Sequence, residues 1–293
     1  MTTLVFGKSG QVARELARLC PDAILLGRDD VDLADSTAVT DAIARHRPTA
    51  VINAAAYTNV DGAEAASAEA MAVNARAPGA MARACAALDI PFVHFSTDYV
   101  FDGSGNRART PGARMAPLNV YGLSKLAGEE AIRAAGGRHV ILRTSWVFSA
   151  HGKNFVKTIL RLGTERPELR IVADQIGAPT PASALADAAL RIAAHLRQRP
   201  QDAGTYHLAG AGDVSWAEFA RAILAEAGAD CAVTDIPTAE YPTPALRPLN
   251  SRLDCRRTTA VFGIARPDWR EALTRTLAEL GSAPRNAGGQ AAA

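Results

Sequence analysis

Thr3-Leu4-Val5-Phe6-Gly7-Lys8-Ser9-Gly10-Gln11-Val12-Ala13, at the head of the chain, joins a short apolar run to a glycine-bounded turn and the start of a helical pattern. Thr3 to Phe6 reads as a buried strand and Gly10 to Cys20 as a helix that begins directly after the turn. Gly7 and Gly10 take the first two places of a Gly-x-x-Gly-x-x-Gly spacing, with Ala13 at the third, where Ala also serves close helix–strand packing. Glycine lets the backbone approach a pyrophosphate, and the free N–H groups of the helix start supply donors at the positive end of its dipole. A tight turn with no ligand would use the same residues. Its position at the entrance to a βαβ series favours phosphate binding.

The alternation continues outward from this turn. Ile24 to Leu26, Ala50 to Asn53, Phe92 to Phe95 and Val140 to Leu142 read as strands; Ser36 to His46, Ala65 to Leu88 and Ser124 to Ala135 read as helices. Short apolar strands separated by helices imply parallel pairing, because parallel neighbours need crossovers, and crossovers cover both faces of the sheet. The fold class expected is α/β: a doubly wound parallel (Rossmann) sheet with a second, smaller α/β substrate lobe. In that lobe and its returns the pattern predicts a helix from Asn154, a strand at Arg170 to Val172, a helix at Ala184 to Arg197 and a strand at Thr205 to Leu208. Ser215-Trp216-Ala217-Glu218 has the form of a capping box, so a helix is expected toward Ala227. Pro237 to Pro248 carries four prolines in twelve residues and is read as an extended loop, with a final helix at Asp268 to Leu280. The expected division is 1-147 with 182-209 for dinucleotide binding, 148-181 with 210-280 for the substrate, and a disordered small-residue tail at 281-293.

Composition excludes several classes. The 293 residues are 48% hydrophobic and 21% charged, and no apolar run approaches the roughly 18 residues of a membrane span. The first residues enter a strand without the basic and apolar regions of a secretory signal, so a cytoplasmic protein without a membrane partner is expected. A net charge of +2 from dispersed residues argues against nucleic acid, which is held by massed Lys and Arg. Cys20, Cys85, Cys231 and Cys255 lack ligand spacing and are read as free thiols.

Past the second strand the chain reads Leu26-Gly27-Arg28. A carboxylate there would bind the ribose of NADH; an arginine suits the 2′-phosphate of NADPH, so NADPH or dual use is expected. Asp32 and Leu33 are placed at the edge of the adenine pocket. Ala54, Ala55 and Ala56 follow Asn53 with side chains small enough for the backbone to lie against the cofactor.

Tyr121-Gly122-Leu123-Ser124-Lys125 is Tyr-x-x-x-Lys, which on a helix puts phenol and ammonium on one face, a turn apart. A phenol with a pKa near 10 is a poor acid–base partner at neutral pH, and a nearby cation stabilises the phenolate, so Lys125 is expected to tune Tyr121. Thr97 and Asp98 lie just past a strand, at the carboxyl end where open α/β sheets bind ligands. The Thr97 hydroxyl can reach the reacting oxygen.

Six segments together carry a resemblance: Gly7 to Val12, Asn53 to Thr58, Ser96 to Phe101, Asn119 to Lys125, Arg143 to Val147 and Arg247 to Ser251. Through them the chain resembles the dTDP-4-dehydrorhamnose reductases, within the extended short-chain dehydrogenase/reductase superfamily, over almost its whole length to about Leu280. Tyr-x-x-x-Lys belongs to the entire superfamily; the Ser-Thr-Asp-Tyr-Val-Phe and Arg-Pro-x-Asn-Ser segments are narrower. The resemblance implies reduction of the C4 keto group of dTDP-4-dehydro-β-L-rhamnose, with Tyr121 giving the proton, Lys125 also holding the nicotinamide ribose, and Thr97 and Asp98 facing the sugar. It also implies cofactor contacts at Gln11, Val12, Asp32, Leu33 and Ala54 to Ala56, and Trp146 against the sugar ring. Arg247 is read as a diphosphate ligand with its side chain free to reach it, and Asn250 as a further substrate contact. Some relatives are homodimers with an interface magnesium. Here Glu15 is present, the glutamate expected before Leu185 is absent, and Asp187 alone is a weak second ligand, so that Mg²⁺ is not expected. Two other readings stand beside this one: a related nucleotide-sugar 4-reductase or epimerase, and a non-catalytic nucleotide-binding regulatory subunit.

Overall fold

The computed structural model describes residues 2–282. The chain opens with β1 (Thr3–Phe6), α1 (Gln11–Leu19), β2 (Ile24–Leu26), α2 (Ser36–His46) and β3 (Ala50–Asn53). It continues through α3 (Val60–Ala65), α4 (Ser67–Met71), a π-helical turn at Ala72–Arg76, α5 (Ala77–Ala87), β4 (Phe92–Thr97), α6 (Val120–Ala135) and β5 (His139–Thr144). After β6 (Val147–Phe148), α7 (Phe155–Glu165), β7 (Glu168–Val172), β8 (Ile176–Gly177) and β9 (Thr180–Pro181), it returns through α8 (Ala182–Gln198) and β10 (Gly204–His207). The last elements are β11 (Val214–Ser215), α9 (Trp216–Ala227), β12 (Ala232–Ile236), α10 (Arg256–Phe262) and α11 (Trp269–Glu279).

Six strands form one parallel sheet in the order β10-β5-β4-β3-β1-β2. The period of two along β1 divides its side chains between the faces. Val5 joins Leu16, Leu185, Ile192 and Tyr206 on one face, while Leu4 and Phe6 join Val39, Ile43, Met81 and Ile132 on the other. Each such fully buried aliphatic or aromatic side chain contributes roughly 1.5–3 kcal/mol. Strand order reverses between β1 and β3, which opens a crevice at their carboxyl ends. A third apolar cluster, with Phe148, Val156, Phe219 and Trp269, packs under the parallel β7–β12 pair and α7, α9 and α11.

Several elements differ from the sequence reading. α6 begins at Val120, not Ser124, because the Asn119 side chain caps it by accepting from Gly122 N at 2.8 Å; Tyr121 therefore lies inside the helix. The helix expected from Ala65 instead starts at Val60, breaks at Ala66 and widens into the π turn. That turn presents Asn74, whose Oδ1 accepts from Tyr57 N (2.9 Å) and whose Nδ2 donates to Tyr57 O (3.0 Å) and Ser124 Oγ (2.9 Å). β12 and α10 were not legible, and Val261 and Phe262 of α10 pack on the main-sheet core. Gly281 and Ser282 donate to Ala278 O and Leu277 O and so close α11 rather than beginning a disordered tail; 283–293 lie outside the described residues.

α6 crosses the π turn so closely that a Cβ on Gly128 would stand 2.0 Å from Asn74 O. Alanine in a helix normally gains about 1 kcal/mol over glycine. Here the backbone clash outweighs that gain, so Gly128→Ala should lower stability by about 1–3 kcal/mol, read as a lower urea midpoint. An unchanged or higher midpoint would show that the two segments separate at no cost.

Candidate active site

Gly7 has φ +116°, and a Cβ there would lie 3.1 Å from Ala54 C and Ala55 N. A side chain is therefore excluded from the crevice between β1 and β3. α1 starts at Gly10 without a side-chain cap, so the amides of its first turn keep their donors for an anion. This is a cradle that a dinucleotide pyrophosphate fits. Gln11 stands in it with its amide engaged elsewhere: Oε1 accepts from Ser149 Oγ (3.0 Å) and Asn154 Nδ2 (2.9 Å), and Nε2 donates to Val147 O (3.3 Å). Its side chain thus ties α1 to the segment after β5. Val12 packs on the core. Ala54, Ala55 and Ala56 are half-buried and face the glycine turn, with Ala54 N donating to Phe6 O.

Arg28 is exposed just past β2, whose register pairs Leu26 with Phe6. Beside it, Lys8 meets Asp30 at 3.5 Å, and Asp30 also accepts from Gly27 N, a bond that holds its carboxyl below the ordinary range. This pair was missed from sequence. The Asp32 side chain accepts from Ala34 N at 2.8 Å, and Leu33 packs on the second core cluster, so both shape the turn after β2.

The reactive groups meet at the carboxyl end of β4. Thr97 is buried, its hydroxyl donates to Asp98 Oδ1 at 3.1 Å, and it also hydrogen-bonds the Tyr121 phenol. Burial pushes the phenol up to about 12; the Thr97 bond opposes this and the Asp98 charge adds to it. The expected tuning by Lys125 is not realised. Lys125 shares the helix face with Tyr121, but its side chain enters the interior, where Nζ donates to Phe95 O (2.7 Å) and meets His94 Nε2 (3.1 Å). Burial lowers its ammonium to about 8, with Glu129 pulling the other way. Tyr99 packs edge-on against Tyr121, with centroids 5.6 Å apart.

From Tyr99 a cleft of about 780 Å³ runs toward β7, lined among others by Asp61, Gln175, Trp216, Tyr241 and Arg247. That volume suits a nucleotide-sized ligand. Arg247 is in the cleft but not free: Nη2 pairs with Asp61 Oδ2 at 2.7 Å. Trp146, expected on the sugar, adopts φ +49° and stacks on Trp216 at 3.6 Å, leaving Trp216 as the indole that lines the cleft. Asn250 is buried, donating to Arg107 O (2.9 Å) and accepting from Arg252 (3.1 Å); it braces a loop rather than presenting its amide. Its neighbour Ser251 hydrogen-bonds Asp98, and Asn119 Nδ2 donates to Leu246 O, so both tie the loop to the reactive end. Only the Asn-x-x-Gly helix start could have signalled Asn119. Glu15 is held by Arg18 at 2.8 Å and Asp187 faces Arg191 at 3.5 Å; no group of three His, Cys, Asp or Glu among the described residues could hold a metal ion.

A switch-point cradle beside a strand-end Thr and a helical Tyr and Lys defines a dinucleotide-binding reductase of the short-chain type. The model of the family described as RmlD substrate binding domain matches residues 1–282. A dTDP-4-dehydrorhamnose reductase of Sinorhizobium fredii is 44% identical over 286 residues, covering 94% of this chain and 97% of that one. Among solved structures, a dTDP-4-dehydrorhamnose reductase of Clostridium acetobutylicum superposes with a TM-score of 0.90 at 34% identity, covering 96% and 100% of the two chains. Another from Bacillus anthracis, in complex with NADP, has a TM-score of 0.86 at 33% identity, covering 95% and 99%. The chain belongs to the dTDP-4-dehydrorhamnose reductase family.

Asp98 gives the site a pH signature. Burial raises its carboxyl from 3.8 to about 6 against hydrogen bonds from Ser251 and Thr97, and Oδ2 has no partner. As pH rises the unfolded chain loses this proton first, so the fold bears a cost that is absent below about pH 4 and reaches about 2–3 kcal/mol above about pH 6. Asp98→Asn should therefore raise stability by about 1–3 kcal/mol near pH 8, with the gain vanishing toward pH 4, as read by urea unfolding at both. An equal effect at the two pH values would mean that the charged carboxylate is fully compensated.

Proposed function

We propose that the chain reduces the C4 keto group of dTDP-4-dehydro-β-L-rhamnose to give dTDP-β-L-rhamnose, as a cytoplasmic biosynthetic enzyme. The observation that carries this reading is the hydrogen bond of Tyr121 to Thr97 at the end of β4, one strand from the Gly7–Ala54 cradle, with Lys125 a turn along the same helix face. NADPH or NADH, when bound, supplies the hydride. Gly7, Gly10 and the backbone of Gln11 to Ala13 hold the pyrophosphate, Ala54 to Ala56 flank it, and Arg28 meets a 2′-phosphate. Thr97 and Tyr121 bind the keto oxygen, and the Tyr121 hydroxyl gives its proton to that oxygen as C4 is reduced. A phenol held near 12 keeps its proton until the alkoxide forms, which suits a donor. Arg247 exchanges Asp61 for the diphosphate, a trade of one charge-assisted bond for another.

The same reading assigns 1-147 with 182-209 to the cofactor and 148-181 with 210-280 to the sugar nucleotide. What supports it is the return of α8 and β10 to the main sheet, where β10 pairs with β5.

The test is NADPH oxidation in the presence of dTDP-4-dehydro-L-rhamnose, with the product identified by NMR. Turnover to dTDP-L-rhamnose is expected; turnover only with a different nucleotide-linked keto sugar would move the chain to the alternative reductase or epimerase reading. Tyr121→Phe should bind cofactor normally and lose about 10²-fold or more in kcat, and near-normal kcat would remove Tyr121 as the donor.

A further inference from the structure

Beneath the reactive groups runs a buried chain that ends on Lys125 and whose other two members the proposed reaction does not use. Asn53 at the end of β3, His94 within β4 and Lys125 on α6 are each at most 2% exposed. Asn53 Nδ2 lies 3.0 Å from His94 Nδ1, and His94 Nε2 lies 3.1 Å from Lys125 Nζ. The orientation of the Asn53 amide is settled by its other end, since Oδ1 accepts from Ala55 N at 3.1 Å and a flipped amide would set two donors against each other. An N–H therefore points at Nδ1, which must accept. A neutral imidazole carries one proton, so it sits on Nε2 and points at Lys125. A donor at 3.1 Å needs an acceptor, and an ammonium has none. Only a neutral amine offers a lone pair to Nε2–H while still donating to Phe95 O.

We propose that His94, fixed as the Nε2–H tautomer by Asn53, is a positioning residue that holds Lys125 in its retracted place and lowers the proton affinity of its amine. Lys125 then has two states. In one it is a neutral amine seated on His94 and Phe95 O; in the other it is an ammonium for which the seat is unfavourable, and which is driven toward the crevice where anionic groups of the cofactor bind. This rests on the reading of Lys125 as a cofactor-site lysine. The charged groups facing the pair agree with it. Burial takes Lys125 down to about 8 and His94 well below its ordinary range. Glu129 on α6 favours the ammonium, but its carboxylate is bonded to Arg143 of β5, to Ser96 and to Arg133.

The chain has four lysines, Lys8, Lys125, Lys153 and Lys157, so the ¹³Cε signals of a lysine-labelled sample of the free protein can be followed individually with pH. Lys125 should titrate below the other three. In His94→Gln the Nε2–H donor is gone and a side-chain carbonyl can face the ammonium, so the Lys125 midpoint should rise by about one pH unit or more, tenfold in proton affinity. Co-titration of wild-type Lys125 with the other lysines, or an unmoved midpoint in a folded variant, would overturn the proposal. Because His94 is fully buried, a second readout uses the wild type alone: ¹⁵N spectra of the histidine rings should show His94 protonated at Nε2 and bare at Nδ1. The opposite tautomer would overturn it. Neither readout requires turnover, so each stands apart from the test of the reductase reading.

Discussion

The approach of α6 to the sheet is the constraint from which the rest of this molecule follows. A Cβ on Gly122 would lie 2.3 Å from Tyr99 O, and one on Gly128 would lie 2.0 Å from Asn74 O, so both crossings are closed to every residue but glycine. Ser124, between them, is fully buried and accepts from Asn74 Nδ2. The helix is thus seated at three points, on the turn after β4 and on the π turn before α5. Tyr121 and Lys125 ride on that seat, one directed to Thr97 and the other beneath β4.

Such a seat lets the fold carry groups that oppose its stability. Asp98 is buried with a raised carboxyl and an unpartnered oxygen, and Lys125 is buried with a lowered ammonium. Close by, Glu129 also loses its hydration, yet Arg143 approaches it at 2.6 Å and Ser96 donates to it, so its carboxyl falls below the ordinary range. A hydrogen-bonded buried pair holds together where a lone buried charge would not. Asp98, with its unpartnered oxygen, stands at the ligand-facing end of β4, where chemistry rather than stability selects the residue.

Much of the fold was legible because it is written in local patterns. The strand limits at Ala50–Asn53, the helix at Ser36–His46 and the capping box at Ser215 follow from apolar periodicity and cap chemistry alone. β12 was not legible, since three of its five residues are exposed and its pairing with β7 joins segments some sixty residues apart. The proposed catalytic trio of Thr97, Tyr121 and Lys125 was legible as a set of candidates from motif and strand-end position. Its electrostatics were not: Tyr-x-x-x-Lys spacing says that two side chains share a helix face, but only the fold shows His94 and Phe95 O drawing Lys125 inward. Arg247 and Trp146 illustrate the same limit, since Asp61 and Trp216, which engage them, come from distant parts of the chain.

The seat of α6, and not the mere presence of Tyr121 and Lys125, makes the proposed site. Gly122→Ala tests it with every reactive group kept, because its methyl must push the first turn of the helix away from Tyr99 O and Pro117. A displacement of about 1 Å at a reacting group costs on the order of 10²-fold in rate. Single-turnover reduction by this variant, with NADPH binding measured alongside, should show a hydride-transfer rate lowered by about 10²-fold and a cofactor dissociation constant within about threefold of the wild type. A folded variant that transfers hydride at the wild-type rate would contradict the account.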